Sequence, residues 1–348
     1  MNRDGGVGGV TSSTGRRRVL RRAVVSASVL LACCGVAAPS AIAAPAAPFV
    51  APREVALDEV TKVSPRQLEI TVQSPAMGGP VSVTVLLPRD TSRSRSTVYM
   101  LDGAGATGSV SDWITKGGAA KLFEDKDVNV VLPSGGKSTF YTDWERTDRV
   151  VGKPMWETFL TKELPPLIDR YYNGNGRNAI VGLSMGGQAA IALTFRHPEL
   201  YTGAASLSGC PPTSGILNEA YIRATVGRDG ADATNMWGPF GAPGWADHDP
   251  SLHLDKLRGK NLYISAGTGA VGPLDFAEPL DPGMSRQQQT LAASGLESGA
   301  YRCSVEFAVT LRANNIPATV DFPLIGTHSW AYWKRDLPDL WPTIARGL

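Results

Sequence analysis

Apolar and polar positions alternate with period two at residues 68–72 and 81–87. That period is typical of strands with one buried face. The segment between them, 74–80, is rich in Gly and Pro and predicts a turn. The two strands are therefore expected to form an antiparallel entry to a sheet.

Further along the chain, short apolar runs alternate with stretches of helix-forming composition. The predicted strands are 97–101, 128–132, 179–181, 203–207, 261–265 and 318–321. Strands that alternate with helices indicate parallel strands joined by crossover helices, and hence a three-layer α/β sandwich with a mostly parallel central sheet. Residues 210–253, which hold Trp237, Trp245 and several Gly and Pro, are expected to be irregular and to cover the carboxyl edge of the sheet, where ligands bind.

One predicted strand runs directly into a sharp turn. Residues 178–181 have the composition of a short buried strand, 182–186 are G-L-S-M-G, and 188–197 favour a helix that Pro198 ends. Strand, G-x-S-x-G and helix in this order indicate the nucleophile elbow of the α/β-hydrolase fold, whose turn has no room for a Cβ on either side of Ser184. The alternative is a Gly/Ser loop, because the five-residue pattern also occurs by chance.

The N-terminus has the layout of an export signal. Residues 15–22 are basic, 23–38 are apolar, and A-I-A follows at 41–43, which predicts a signal peptide over residues 1–43. The arginine spacing also suits a twin-arginine signal, while ordinary secretory export and an uncleaved anchor are the alternatives. Residues 44–58 are predicted to be a flexible Pro/Ala-rich arm, and residues 59–348 a single catalytic domain.

Removal of this leader changes the net charge. It holds six of the 34 Lys and Arg and one of the 32 Asp and Glu, so that 28 bases and 31 acids remain, a net charge of −3. The basic excess therefore lies in the leader and gives no argument for nucleic acid as a partner.

Two of the four cysteines lie in the leader, which leaves Cys210 and Cys303. An even pair in an exported protein predicts one disulfide, and two separate buried thiols are the alternative. No ligand spacing for a metal exists with four histidines in the chain. G-A-G-A-T-G at 103–108 fits the start of a dinucleotide fingerprint, but a good helix and a suitably placed acid do not follow, so no cofactor is expected.

Ser184 needs a neighbouring base, and the base needs an acid that fixes its tautomer. His328 is predicted to be the base, because it follows the last predicted strand. His197 lies on the elbow helix and cannot reach Ser184, and His248 and His253 are expected to be solvated loop residues.

The acid stays undecided at this point, among Asp275, Glu278, Asp281, Glu297 and Glu306. The oxyanion hole needs two backbone N–H groups, and Met185 and Ala104 are predicted to supply them, since Met185 follows the nucleophile and Ala104 lies in the loop after strand 97–101.

From residue 74 onward, where S-P-A-M-G stands at 74–78, the chain resembles the mycolyltransferases of the mycobacterial antigen 85 complex and their corynebacterial relatives. The matching segments are Y-M-L-D-G (99–103), F-Y-T-D-W (140–144), W-E-T-F-L-T-K-E-L-P (156–165), G-L-S-M (182–185), M-W-G-P (236–239) and G-T-H-S-W (326–330). The resemblance selects Glu297 as the acid, and it implies that Asp102 and Trp330 belong to a sugar site.

The family moves long branched acyl chains between trehalose esters, or onto other cell-envelope hydroxyls, through an acyl-serine. The resemblance thus implies a secreted or envelope enzyme with a mycolyl glycolipid donor and a sugar or envelope hydroxyl acceptor. It also implies peripheral contact with the envelope and no membrane span in the mature chain. Gly105, Thr107 and Lys116 replace an arginine, a glutamine and an asparagine that contact trehalose in the mycobacterial enzymes, so trehalose recognition is open. The reactive cysteine of those enzymes is absent from 264–267.

Two other functions are compatible with these residues. A secreted carboxylesterase of the same fold would use the same chemistry with water as the acceptor. A non-catalytic protein that binds cell wall or host matrix would have no need of a complete Ser, Glu and His set.

Overall fold

A nine-stranded sheet runs through the part of the chain that the computed structural model describes, residues 54–106 and 108–348. Its strands lie in the order β1-β2-β3-β5-β4-β6-β7-β8-β9. They are β1 (Ala56–Ser64), β2 (Gln67–Ser74), β3 (Gly79–Leu86), β4 (Arg95–Leu101), β5 (Asn129–Pro133), β6 (Gly174–Leu183), β7 (Tyr201–Leu207), β8 (Asn261–Ser265) and β9 (Thr319–Asp321).

Strands β1, β2, β3 and β5 pair antiparallel, and β5, β4, β6, β7, β8 and β9 pair parallel. The predicted antiparallel entry and parallel continuation are both confirmed. The central strands are buried on both faces, which explains why their sequences are continuous apolar runs. Since parallel strands end at one edge, the segments after β4, β5, β6 and β7 meet there.

Helices cover both faces of the sheet. They are α1 (Asp112–Thr115), α2 (Ala119–Leu122), α3 (Trp156–Thr158), α4 (Leu164–Tyr172), α5 (Met185–Arg196), α6 (Ile216–Gly227), α7 (Thr234–Trp237), α8 (Pro243–Asp247), α9 (Arg286–Ala313) and α10 (Trp330–Ile344). Strand β4 shows how one element serves two cores: Tyr99 and Leu101 belong to one buried cluster, and Val98 and Met100 to the other. The predicted three-layer α/β fold is confirmed.

Two regions differ from the prediction. Strand β1 starts at Ala56, so Ala56 and Leu57 pair with β2 and are not part of an arm; the strand is exposed along most of its length, and its apolar residues do not alternate regularly. Residues 210–253 were expected to be irregular, but they contain α6, α7 and α8, and Trp237 and Trp245 are each 1% exposed. The predicted signal peptide over 1–43 and residues 44–53 of the predicted arm lie outside the described residues.

The described residues from 54 onward belong to one compact unit. No helix within 54–106 and 108–348 is long and apolar enough to cross a membrane.

Candidate active site

Ser184, the predicted nucleophile, lies between β6 and α5, where the sequence predicted an elbow. Ser184 has φ 52° and ψ −125°, a strained conformation for a residue with a side chain. A Cβ on Gly186 would lie 2.7 Å from the carbonyl oxygen of Leu101 and would also strike that of Asp102. The second glycine of the motif therefore lets the elbow pack directly against the end of β4.

A continuous hydrogen-bonded chain joins three of the predicted residues. The Nε2 atom of His328 lies 2.8 Å from the Oγ of Ser184, and its Nδ1 atom lies 2.7 Å from Oε2 of Glu297. Ser184 is half-buried, whereas Glu297 is 1% exposed. The backbone N–H of His328 donates to the carbonyl of Ala293 on α9, which ties the histidine loop to the helix that carries Glu297.

The second oxygen of Glu297 is held by two neutral donors that the sequence reasoning missed. Oε1 accepts hydrogen bonds of 2.7 Å from Ser208 Oγ and from the backbone N–H of Gly267. Trp333 Nε1 donates to Ser208 Oγ at 2.8 Å, and the indole packs edge-on against His328 with ring centroids 4.9 Å apart. The signal that could have found Ser208 is its position directly after a predicted strand, at the carboxyl edge.

The other acids considered have different partners. The carboxylate of Asp275 accepts hydrogen bonds from Thr327 Oγ1, Tyr332 OH and the N–H of Gly272. The remaining pairs are Glu278 with the N–H of Ala331, and Glu306 with Arg302. Asp275 and Glu278 therefore bind the segment that follows β9 without contacting the ring of His328.

The predicted disulfide is present. Cys210 and Cys303 are bonded, with their Cα atoms 4.9 Å apart. Cys210 follows Ser208 by two residues, and Cys303 lies on α9 six residues after Glu297. The bridge thus connects the segment that holds the carboxylate with the helix that carries it.

The predicted oxyanion donors lie beside the nucleophile. Met185 begins α5, where the first N–H groups have no partner within the helix. A Cβ on Gly103, the residue before Ala104, would lie 3.5 Å from the Cβ of Ser184, so the loop after β4 passes directly next to the serine. Ala104 is 4% exposed. Their role as oxyanion donors stays a prediction.

The carboxylate of Asp102 points into the protein. It accepts hydrogen bonds from Ser111 Oγ at 3.0 Å and from the N–H groups of Asp112 and Trp113 at 3.2 and 3.3 Å, and the residue is 1% exposed. Burial raises the pKa of Asp102 to about 7. In this structure Asp102 closes the loop that contains Ala104, and direct contact with a sugar stays a prediction.

Trp330 is half-buried and lies at the start of α10, two residues after His328. Its ring packs edge-on against Trp113, with centroids 5.3 Å apart. Lys116 lies over the same ring at 6.0 Å from the centroid and pairs with Asp112 at 3.0 Å. Lys116 therefore borders Trp330, while Gly105 lies in the loop after β4 and Thr107 lies outside the described residues.

Two histidines differ from their predicted environment. His248 and His253 were expected to be solvated, but His248 stacks on Trp237 with centroids 4.5 Å apart and His253 stacks on Phe195 at 5.1 Å. The first contact joins the end of α7 to the end of α8, and the second packs the segment after α8 against α5. His197 contacts Glu157 at 2.7 Å, at the end of α5 that lies away from Ser184. Within the described ranges, no group of three or more His, Cys, Asp or Glu could hold a metal ion.

Ser184 is a strained residue at an elbow on a mostly parallel sheet. It contacts a histidine, and that histidine contacts a buried glutamate. Serine esterases of the α/β-hydrolase fold have this arrangement. Residues 74–344 match the family model described as putative esterase. The chain is 32% identical over 288 residues to the diacylglycerol acyltransferase/mycolyltransferase Ag85A of Mycobacterium tuberculosis, covering 80% of each protein. It is 32% identical over 292 residues to Ag85B of Mycolicibacterium smegmatis, covering 80% of this chain and 84% of that protein.

Solved structures agree with these relatives. The crystal structure of Mycobacterium tuberculosis MPT51 (FbpC1) superposes with a TM-score of 0.65 at 29% identity, covering 79% of this chain and 96% of that one. An S-formylglutathione hydrolase from Agrobacterium tumefaciens shares the fold, with a TM-score of 0.60 at 16% identity and coverage of 84% and 99%. The chain therefore belongs to the putative esterase family and, among its members, to the Ag85 mycolyltransferases, as the sequence motifs predicted.

Proposed function

We propose that the protein is an exported serine acyltransferase. It moves a mycolic-type acyl chain from a trehalose ester to trehalose monomycolate or to another cell-envelope hydroxyl, through an acyl-serine intermediate. The observation that carries the proposal is the chain of hydrogen bonds from Glu297 through His328 to Ser184, at 2.7 and 2.8 Å. The names of the Ag85 relatives supply the class of acyl group.

In the first half-reaction, Ser184 Oγ attacks the ester carbonyl of the donor while Nε2 of His328 accepts the hydroxyl proton. Glu297 stabilises the imidazolium through its contact with Nδ1. The N–H groups of Met185 and Ala104 stabilise the negative oxygen of the tetrahedral intermediate. When the intermediate collapses, His328 returns the proton to the departing sugar oxygen, and the acyl group stays on Ser184.

In the second half-reaction, the acceptor hydroxyl gives its proton to His328 and attacks the acyl-serine. The new ester leaves, and His328 returns the proton to Ser184 Oγ. Water can take the place of the acceptor, and the enzyme would then be a carboxylesterase. The acceptor site therefore decides between transferase and hydrolase. Lys116 beside Trp330 is one of the three positions, with Gly105 and Thr107, at which this chain differs from the mycobacterial enzymes.

The test uses the purified exported form and its Ser184→Ala variant with trehalose monomycolate, with and without added trehalose. We expect trehalose dimycolate only with intact Ser184. Free mycolic acid without the diester would instead favour an esterase, or a transferase whose acceptor was missing from the assay. A protein that yields neither product and does not react with a fluorophosphonate probe would support the non-catalytic binding function.

A further inference from the structure

A pocket of about 270 Å³ opens at the same edge of the sheet as Ser184. It lies at the carboxyl end of β5 and the start of β3, and β4 separates it from β6 and the elbow. Its lining residues are Met77, Gly79, Pro80, Val81, Ser82, Gly108, Ser109, Ser134, Gly135 and Trp156. The triad uses none of them.

Two motifs that carry the family resemblance, but that have no part in the triad, meet at this pocket. Met77 comes from the S-P-A-M-G turn, and Trp156 begins the segment 156–165. Glu163, in the π-helix Phe159–Glu163, holds the turn by accepting hydrogen bonds from Ser74 Oγ and from the N–H of Ala76 at 2.9 Å. A π-helical turn often marks a functional site, and this one fixes a wall of the pocket.

The chemistry of the lining indicates a neutral, hydroxylated ligand. The described lining residues include no Lys, Arg, His, Asp or Glu, which disfavours an ionic ligand. Ser82, Ser109 and Ser134 offer hydroxyl groups that both donate and accept. Half-buried Met77 offers apolar surface, whereas Trp156 lines the pocket but is 3% exposed. Ser134 is 6% exposed, and its Oγ has no hydrogen-bond partner in the described part of the chain. Buried hydroxyls without a partner are uncommon and call for an explanation.

The pocket lies within reach of the reacting atoms. Ser134 and Gly135 follow β5, and Ser184 follows β6, two strand positions away. At the usual spacing of neighbouring strands this separation is about 10 Å. The volume is below the roughly 300–1,000 Å³ of clefts for drug-sized ligands, so the pocket suits one ring and not a long acyl chain.

We propose that this pocket is a subsite for a neutral sugar ring of the acceptor, bound by Ser82, Ser109 and Ser134 beside Met77 while another ring presents its hydroxyl to Ser184. The inference rests on the proposed function for the identity of the acceptor. Binding of sugar to the pocket can nevertheless be measured without catalysis.

The experiment measures binding of trehalose and of methyl α-D-arabinofuranoside to the Ser184→Ala protein by ligand-observed NMR. In that background, Ser134→Val removes the buried hydroxyl and adds apolar volume, and Ser109→Trp blocks the exposed rim. Ser251→Val is the matched control, because the Oγ of Ser251 is also buried without a partner among the described residues but does not line the pocket. Ser134 has no hydrogen bond through its side chain to lose, so Ser134→Val should fold.

We expect Ser134→Val and Ser109→Trp to weaken binding of at least one sugar about fivefold to tenfold, and Ser251→Val to leave binding unchanged. With Ser184 intact, the same two variants should raise the KM for the acceptor while the rate of fluorophosphonate labelling stays the same. If all three variants bind each sugar with the same affinity as the Ser184→Ala parent, the pocket is not a sugar subsite. Sugar binding that is lost in Ser134→Val, in a protein that shows no acyl transfer, would support the subsite and contradict the proposed function.

Discussion

Helix α5 has a buried histidine–glutamate pair near each of its ends. Near Ser184, which precedes the helix, His328 lies 2.7 Å from Glu297; at the other end, His197 lies 2.7 Å from Glu157. The two glutamates are 1% and 7% exposed. In distance and burial the pairs are nearly the same, so these features do not decide which pair can do chemistry.

The other partners of each pair make the difference. Glu297 accepts its further hydrogen bonds from neutral groups, Ser208 and Gly267, and the second ring nitrogen of His328 faces a serine hydroxyl. Glu157 instead pairs with Arg196 at 2.8 Å and lies 3.8 Å from His248.

Burial alone would raise the pKa of Glu157, but the hydrogen bond from His197, the nearby ring of His248 and the charge of Arg196 hold that pKa well below its ordinary value. The Nε2 atom of His197 contacts the carboxylate of Glu157, and its Nδ1 atom lies 3.8 Å from Glu199, so its second nitrogen faces another carboxylate and not a nucleophile. A histidine–glutamate pair is therefore catalytic only where the histidine also faces a group that it can deprotonate.

The largest contrast should appear when each histidine is removed. We expect His328→Ala to lower the rate of ester cleavage by about 10³-fold or more, because Ser184 loses its base. His197→Ala should change the rate less than about threefold, since that ring does not contact the reacting atoms. Initial rates with a soluble p-nitrophenyl ester and fluorophosphonate labelling of Ser184 measure both. Comparable losses of rate in His328→Ala and His197→Ala would show that the contact with Ser184 does not distinguish the two pairs.

Glu157→Gln should lower the free energy of unfolding by about 3–5 kcal/mol at pH 7, because Arg196 and His197 lose a buried partner. The lowered pKa of Glu157 stabilises the fold above the pKa of the unfolded chain, near 4.3, and this stabilisation is lost as the pH falls through the folded value. The wild type should therefore lose stability below about pH 4.3, and the variant should show a flatter dependence there. Urea unfolding at pH 7 and at pH 3 to 4 tests this, and an unchanged pH dependence would contradict it.

The pair of His328 and Glu297 has a covalent support that the structure does not give to Glu157. The Cys210–Cys303 bridge closes a segment with a sequence separation of 93 residues, and we expect its loss in the Cys210→Ala/Cys303→Ala double variant to lower the free energy of unfolding by about 2–4 kcal/mol. The acid-induced loss of stability that depends on Glu157 should persist, because the bridge does not contact it. Urea titrations over the same pH range are the measurement. An equally stable double variant would show that the bridge contributes little.

The smallest expected effect concerns the hydroxyl behind Glu297. Ser208→Ala should lower kcat about tenfold, because Glu297 keeps the Gly267 N–H but loses one hydrogen bond to a charged group. Ser206→Ala is the matched control: Ser206 lies on β7, two residues before Ser208, and its Oγ has no partner among residues 54–106 and 108–348. If both variants keep full activity at every pH, Ser208 does not position the acid.

Local patterns were sufficient to predict β6 and α5, the strand and helix on either side of Ser184. The eight predicted strands are present, each end within five residues of its predicted position, and α5 begins where the glycines of G-x-S-x-G require it. Strand β1 was missed because its apolar residues do not alternate regularly and it lies exposed at an edge of the sheet. Helix α6 was missed because the Gly and Pro around it dominate the segment.

The acid shows the limit of such patterns. Position along the chain does not distinguish Asp275 from Glu297, since both precede His328. Burial does not distinguish them either, because both are buried in the structure. The family motifs selected Glu297, whereas the fold gives Asp275 to Thr327 and Tyr332. The buried stacks of His248 and His253 were likewise unpredictable, because their partners Trp237 and Phe195 lie 11 and 58 residues away.

The sequence by itself determined eight of the nine strands of the sheet, the sharp turn at Ser184 and the family of the chain, since each depends on neighbouring residues or on short motifs. Only the tertiary structure brought His328, 144 residues away, to Ser184 and surrounded Glu297 with neutral donors. It also placed Arg196 beside the pair of His197 and Glu157, whereas the pair of His328 and Glu297 has Ser184 beside it. The physical reason is that the chemistry of a carboxylate or an imidazole is set by the groups that surround it, and folding draws those groups from distant parts of the chain.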